Sequence, residues 1–371
     1  MVLPFALAPE PPAIYAQPGP ECAASTRPFQ GIPGIERAPN GRLWATWYAG
    51  GETEGPENYV TLATSGDDGA TWTEPVLIIN PSENIRAYDP CLWHDPEGKL
   101  GLLWAQGAGW WDGRGGVWAI TTEESDNADA RWSEPRRLCD GVMMCKPTVL
   151  STGRWLLPAA VWKGAPSQLI SQDFAVDNSE SHGAWVVTTD DGGKSFYQLG
   201  RARVPESVFD EHMVVERRDG SLWMLVRTRY GAGEAFSYDG GVTWTGEGPS
   251  ATVTHIGSGG ARLFIRRLAS GRLLLVKHNP PNGKDRSHLT AFLSGDDGRT
   301  WRGGLVLDER GGVSYPDGIE TAEGTQYLIY DYSRTDEREI LMATFTEEDV
   351  LAGAPVSSQC RLRTLVSKGG Q

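Results

Sequence analysis

The chain has 371 residues, among them 46 Gly, 24 Pro and 15 Trp, and a formal net charge of −14. That charge excludes the basic footprint nucleic-acid binding requires, and no run of about 18 apolar residues is present to cross a membrane as a helix. Five cysteines, at 22, 91, 139, 145 and 360, are odd in number and follow neither disulfide-framework nor zinc-ligand spacing, so no metal is expected in the chemistry.

Residues 1–28 are Pro-rich and read as an extended segment. They lack the basic start and unbroken apolar stretch of a signal peptide, so a cytoplasmic protein is expected. From residue 29 a unit recurs: a strand, a tight turn, an apolar strand, an Asp-containing turn and a last strand. The tight turns are Asn40-Gly41, Glu97-Gly98, Thr152-Gly153, Asp219-Gly220, Ser270-Gly271 and Glu323-Gly324, each leading into an apolar run. Turn residues followed by short apolar runs are hairpin signals.

The Asp-containing turns span Ser65–Trp72, Thr189–Phe196, Ser237–Trp244 and Ser294–Trp301, with the shared pattern S/T-x-D-x-G-x-T/S-W/F. A worn copy lies at Ser125–Trp132, where only Ser and Trp survive. Spacing of 48 to 64 residues between the terminal aromatics indicates a propeller, solenoid or array. In each turn the Asp accepts from nearby backbone N–H groups, the Gly admits positive φ, and the aromatic is expected to be buried between sheets. These Asp residues therefore hold the fold and are poor catalytic candidates. Six hairpins imply six sheets, and the expected fold is an all-β, six-bladed β-propeller over residues 29–351. The sixth unit has no Asp-containing turn; its outer strand is expected from the N-terminal segment. Residues 352–371 read as a tail.

Propellers carry their sites at the central mouth, so candidate residues lie away from the repeated turns. Glu211 precedes an apolar strand, and Arg227 ends the next strand of the same hairpin. Arg286 lies in a polar stretch before the fourth Asp-containing turn, and Tyr315 in Val313-Ser314-Tyr315-Pro316-Asp317. Arg229, Glu234 and Arg262 are further candidates for the mouth, and His212 is a candidate ligand contact beside Glu211.

With these residues the chain resembles the exo-sialidase (neuraminidase) superfamily across residues 29 to 346. The repeated turn is that family's Asp box. The resemblance implies that Tyr315 is the nucleophile, that Glu211 takes its proton, and that Arg227 and Arg286 hold a substrate carboxylate. Arg86-Ala87-Tyr88-Asp89-Pro90 resembles the family's second-blade Asp-Pro segment, which implies substrate contacts for Asp89 and Arg86. Two positions depart from the pattern. The first motif reads Phe29-Gln30-Gly31-Ile32-Pro33 and lacks the family's first Arg. The loop that should hold an acid/base Asp carries Glu52, Glu54 and Glu57 instead; Glu57 is the choice by spacing, with Glu54 close behind.

The chemistry implied is exo-glycosidic cleavage of an acidic sugar, without cofactor. A phenol of pKa about 10 is a weak nucleophile until an adjacent base takes its proton. Paired guanidinium groups suit a carboxylate. With one Arg missing, N-acetylneuraminyl substrates are expected to be poor, and a related ulosonic or uronic sugar preferred. Arg86, Arg229 and Arg262 are the candidate replacements, with Lys146 behind them. Two other readings stay open: a propeller lyase acting on a uronate, and a non-catalytic carbohydrate-binding propeller.

Overall fold

In a computed structural model, residues 11–16, 18–81, 85–107, 113–163, 179–207, 209–256 and 260–370 are described. Six antiparallel sheets form a six-bladed β-propeller. Strand β1 (Ala13–Ala16) belongs to the N-terminal segment. Blade one then holds β2 (Gln30–Arg37), β3 (Leu43–Ala49), β4 (Tyr59–Ser65) and β5 (Leu77–Asn80). Blade two holds β6 (Arg86–His94), β7 (Leu100–Gly107), β8 (Val117–Thr122) and β9 (Arg136–Cys139). Blade three holds β10 (Thr148–Val149), β11 (Trp155–Pro158), β12 (Ala184–Thr188) and β13 (Tyr197–Ala202). Blade four holds β14 (His212–Glu216), β15 (Leu222–Thr228), β16 (Gly231–Ser237) and β17 (Thr245–Pro249). Blade five holds β18 (Phe264–Arg267), β19 (Leu273–His278), β20 (Leu289–Ser294) and β21 (Arg302–Asp308). Blade six holds β22 (Val313–Glu320), β23 (Gln326–Tyr332), β24 (Glu339–Phe345) and β25 (Arg361–Lys368).

The last blade corrects one expectation. Its outer strand is β25, from the C-terminal stretch read as a tail, while β1 from the N-terminal segment adds a fifth strand to blade one beside β5. The physical cause is a chain reversal after β24. Helix α1 (Glu347–Ala352) opens with a capping box between Thr346 and Asp349. The buried Asp349 also accepts from the backbone N–H of Val356 and Ser357, at 2.8 and 2.7 Å. That fold-back returns the chain antiparallel to β24, and the local strand takes the edge. The ring closes instead through contacts between blades six and one: Gln30 N–H donates to Arg334 O at 3.2 Å, and Ile32 N–H to the Asp331 carboxylate at 2.8 Å.

The repeated turns follow the expected physics. Asp67 accepts from Thr71 Oγ1 and Thr71 N at 2.6 and 2.9 Å and from Ser65 Oγ at 2.8 Å. Asp191, Asp239 and Asp296 repeat these bonds. The aromatics lean on the preceding blade. Trp244 joins the apolar cluster of blades three and four, Phe196 that of blades two and three, and Trp72 that of blades one and six. Trp132 of the worn copy meets Trp44 edge-on at 5.9 Å. Trp244 is buried as expected, whereas Trp72, Phe196 and Trp301 are half-buried. Antiparallel order places these turns and the tight turns on one face. The starts of the inner strands therefore open on the other face.

Candidate active site

Three inner strands begin with the same distortion. The register of β2 slips between Gly31 and Gly34, that of β6 between Tyr88 and Cys91, and that of β22 between Ser314 and Asp317. The residues inside the slips are Ile32-Pro33, Asp89-Pro90 and Tyr315-Pro316. Each residue before the proline has positive φ, at 56°, 50° and 55° respectively. A non-Gly residue at positive φ is uncommon, and a following proline restricts its backbone further. Such strain persists where surrounding structure over-determines it, and bulges re-aim side chains. Blades one, two and six thus present Ile32, Asp89 and Tyr315 by one device.

Tyr315 is the centre of the cluster. Its hydroxyl donates to Glu211 Oε1 at 3.3 Å, and Arg227 Nη1 donates to both, at 3.1 and 2.5 Å. Glu211 and Arg227 are held together by register as well, since Arg227 N–H donates to Glu211 O at 3.0 Å. The second oxygen of Glu211 is buried without a hydrogen-bond partner, which leaves it available to take a proton. Burial, and then the Glu211 charge, push the Tyr315 phenol above its ordinary value, while Arg227, Arg334 and Arg286 pull it back. Arg286 lies 5.9 Å from the Tyr315 ring centroid and is anchored to Gly260 O at 2.6 Å.

The structure adds a residue the sequence reasoning missed. Arg334, on the turn after β23, brings its guanidinium to 5.3 Å from the Tyr315 ring centroid. It reaches there across Gly31: a Cβ at Gly31 would lie 2.3 Å from Arg334 Cδ. Gln30 cannot serve, because its amide is buried between Arg27 and Arg338 O, at 3.0 and 2.6 Å. Arg334 is fixed by Glu54 at 2.6 Å and by Asp331 at 4.0 Å. Three guanidinium groups therefore lie around Tyr315, and the space beside Gly31 is filled from blade six. The available signal was negative: a glycine where the resemblance required a long side chain.

The early-loop carboxylates separate. Glu54 faces the site, where Arg334 and then Arg86 overcome burial and hold it below the ordinary carboxylate range. Glu57, the choice by spacing, is exposed, with its carboxylate near Gly51. Asp89 and Arg86 lie at the mouth. Asp89 is 3% exposed, and burial pushes its carboxyl up to about 8, against Arg86 and with Glu54 and Glu211 adding. Arg86 stacks on Tyr88 and Tyr48, at 4.2 and 5.3 Å.

Other candidates lie elsewhere. Arg262 is fully buried beneath the cluster, 3.7 Å from Asp317. Lys146 continues that charged column, held by Asp317 and Glu36 at 3.3 Å each. Arg229 is exposed on the turn after β15. The His212 ring is fixed between Asp210 O and Trp185 O, at 2.6 and 2.9 Å, and burial lowers its pKa to about 4. Glu234 accepts from Trp223 Nε1 at 2.9 Å. None of these three joins the Tyr315 cluster. An aromatic wall adjoins it: Phe209 packs on Arg227 at 5.0 Å and on Trp162 at 5.2 Å, and Trp162 on Tyr88 at 6.3 Å. Among the described residues no His, Cys, Asp or Glu group is placed to hold a metal.

No curated protein matches the sequence. Solved structures do match. A Hadza microbial sialidase is 18% identical, over 88% of this chain and 67% of its own, with a TM-score of 0.66. The intramolecular trans-sialidase from Ruminococcus gnavus, solved with oseltamivir carboxylate, is 15% identical over 94% of this chain and 99% of its own, with a TM-score of 0.65. A Dyadobacter fermentans protein of unknown function is 18% identical over 88% and 95%, with a TM-score of 0.63. At these identities the likeness establishes a shared sialidase-like fold. The family model for the BNR repeat-like domain matches residues 41–328, and the chain belongs to that family.

Proposed function

We propose that the protein is a retaining exo-glycosidase that removes a terminal sugar bearing a carboxylate. The observation that carries this reading is a phenol bonded to a buried carboxylate and surrounded by three guanidinium groups. Arg227, Arg286 and Arg334 hold the substrate carboxylate. Tyr315 attacks the anomeric carbon while Glu211 takes its proton. A phenol suits this task because a carboxylate nucleophile would repel the substrate's own charge, and tyrosine nucleophiles are the recognised exception among glycosidases. The aromatic wall of Phe209, Trp162 and Tyr88 offers a stacking surface for the apolar parts of a sugar.

Arg334 revises what the missing first-motif Arg implies. With the third cation supplied from blade six, a carboxylate on the anomeric carbon, as in a ulosonic sugar, fits the cluster. The displaced approach of Arg334 changes the pocket's shape, so selectivity among ulosonic sugars is expected to differ. The test is a kinetic panel of aryl glycosides: N-acetylneuraminic acid, its deaminated analogue and uronic acids. A specificity constant in the range of about 10⁴–10⁸ M⁻¹s⁻¹ for one ulosonic glycoside, with the anomeric configuration retained, supports the reading. An unsaturated, ultraviolet-absorbing product would make the protein a lyase. Tight sugar binding without turnover would make it a lectin-like propeller.

A further inference from the structure

The inner strands end on the face of the repeated turns, opposite the mouth. There the last residues of β6, β14 and β18, with β10 between them, ring an axial depression of about 780 Å³. Small-molecule sites run from roughly 300 to 1,000 Å³. Lys146 and Glu36 lie at its floor, and the charged column they form with Asp317 and Arg262 separates it from the Tyr315 cluster. Among the described residues none of Glu211, Arg227, Arg286, Tyr315 and Arg334 lines it. We propose that this depression is a second ligand site that takes an amphiphilic organic anion, with a carboxylate or phosphate head on Arg266 and an apolar body against Trp93 and Val149.

Charge decides the head. Most charged groups around the depression already have partners. Lys146 is held by Glu36 and Asp317, at 3.3 Å each, and donates to Ile35 O at 2.6 Å. Arg267 is taken by Asp297 at 2.7 Å and by Glu216 O at 2.9 Å. Arg218 donates to Gly295 O and Gly271 O, at 2.7 and 3.0 Å, and Arg217 leans on the Phe236 ring at 5.6 Å. The carboxylates are engaged as well. Glu216 accepts from Ser151 N and Oγ, at 2.7 Å each, and Asp95 from the backbone N–H of Glu97 and Lys99, at 2.9 Å each.

Arg266 differs from all of these. It lines the depression half-buried, and it has no hydrogen-bond or ion-pair partner among the described residues. Its charge acts on Glu36 and Lys146, so the guanidinium stands over the floor and not out in solvent. A planar guanidinium with free donors matches a carboxylate or phosphate two bonds at a time. The net charge of −14 does not oppose this, because exposed charges beyond about 8 Å are largely screened.

Position decides the body. Trp93 ends blade two's inner strand half-buried, propped edge-on against Trp155 at 5.1 Å. Val149, on blade three, is 40% exposed. In a six-bladed ring blade two stands opposite blade five, so this apolar wall faces Arg266 across the axis. A ligand filling the space meets a cation at one end and carbon surface at the other.

The experiment is isothermal titration of the full chain with phenyl phosphate and benzoate. Inorganic phosphate and benzyl alcohol serve as probes that keep only the head or only the body. Phenyl phosphate or benzoate is expected to bind wild type about tenfold or more tighter than either half-probe, since ring burial adds to the ion pair. Arg266→Gln is expected to weaken that binding about 10- to 100-fold. Val149→Glu, which sets a like charge on the wall, should also weaken it. Arg334→Ala, at the mouth, should leave it unchanged. Thermal unfolding without ligand checks that each variant is folded, and both altered pocket residues are solvent-accessible. Binding that survives both Arg266→Gln and Val149→Glu but is lost in Arg334→Ala would put the anion at the mouth and overturn the proposal. Inorganic phosphate binding as tightly as phenyl phosphate would overturn the amphiphile. No binding of any probe at millimolar concentration would make the depression a solvent-filled funnel.

Discussion

Aspartates at the rim and at the mouth of this propeller are the same residue put to opposite uses. At the rim, Asp67, Asp239 and Asp296 each accept several bonds from their own turn, and those bonds hold them down to about 2. At the mouth, Asp89 has lost water without gaining comparable donors, and burial lifts it to about 8. Rim bonds span four residues or fewer. The mouth is assembled from blades one, two, four, five and six. Local satisfaction makes a stable carboxylate that organises a turn. Long-range burial makes one that holds its proton well above the ordinary carboxylate range.

The largest expected effect tests the mouth. Tyr315→Phe should lower turnover by about 10⁴-fold or more, Glu211→Gln comparably, and the double variant should lose little beyond the worse single one, since the pair acts as a unit. Circular dichroism and sugar binding should stay near wild type. Wild-type turnover in Tyr315→Phe would leave the centre of the cluster without a chemical role. The next effect tests the rim. Trp244→Ala removes a buried side chain and should cost about 3–5 kcal/mol in denaturant unfolding, while Trp301→Ala, half-buried, should cost less. A reversed order would mean that burial does not set the rim's contribution.

The same contrast decides what could be read from the sequence. Four Asp boxes with a fixed internal pattern are local, so the six blades and their outer turns are visible in one chain. Glu211, Arg227, Arg286 and Tyr315 are singled out by their order and spacing against the motifs of the family the chain resembles, and in the structure they lie in one cluster. Arg334 was not: it sits on a turn after β23, and it is related to the Phe29–Pro33 motif only because blade six abuts blade one. Glu54 and Glu57 are three positions apart on one loop, and spacing cannot say which faces inward. The edge of blade six was misassigned because nothing in the sequence of 352–371 resembles a repeat. The local reversal at Asp349 and the pairing with β24 bring β25 to that edge.

Arg334 gives the sharpest test of a residue supplied from outside the motif. Arg334→Ala should cost about 2–5 kcal/mol of transition-state binding, or roughly 30- to 4,000-fold in kcat/KM, for a carboxylate substrate. Its effect should shrink on the methyl ester. Gly31→Ala places a methyl group against the Arg334 stem and should reproduce a smaller part of the loss. The double variant Gly31→Arg, Arg334→Ala should recover activity if the two positions feed one guanidinium site. If the ester and the acid lose equally in Arg334→Ala, Arg334 serves packing, and the third cation is absent.

The comparison extends to stability, where the two kinds of aspartate should show opposite pH slopes. An unperturbed Asp titrates near 3.9. Folding raises Asp89 to about 8, so between those values the native state keeps a proton the unfolded chain has lost. Stability must then fall as pH rises through that window, and Asp89→Asn should flatten the fall. Asp331 and Asp210, each raised to about 6 by burial, slope the same way, so only the difference between wild type and variant isolates Asp89. Folding lowers Asp239 to about 2. Between about 2 and 3.9 the unfolded chain binds the extra proton, and stability must fall as pH falls. Asp239→Asn should flatten that acid limb and leave the alkaline one unchanged. Because Asp239 stands in solvent, its share should stay under about 1 kcal/mol. Urea unfolding of the three proteins from pH 2 to 9 reads both limbs. Slopes of one sign for both variants would mean that burial and local bonding do not divide the aspartates of this fold.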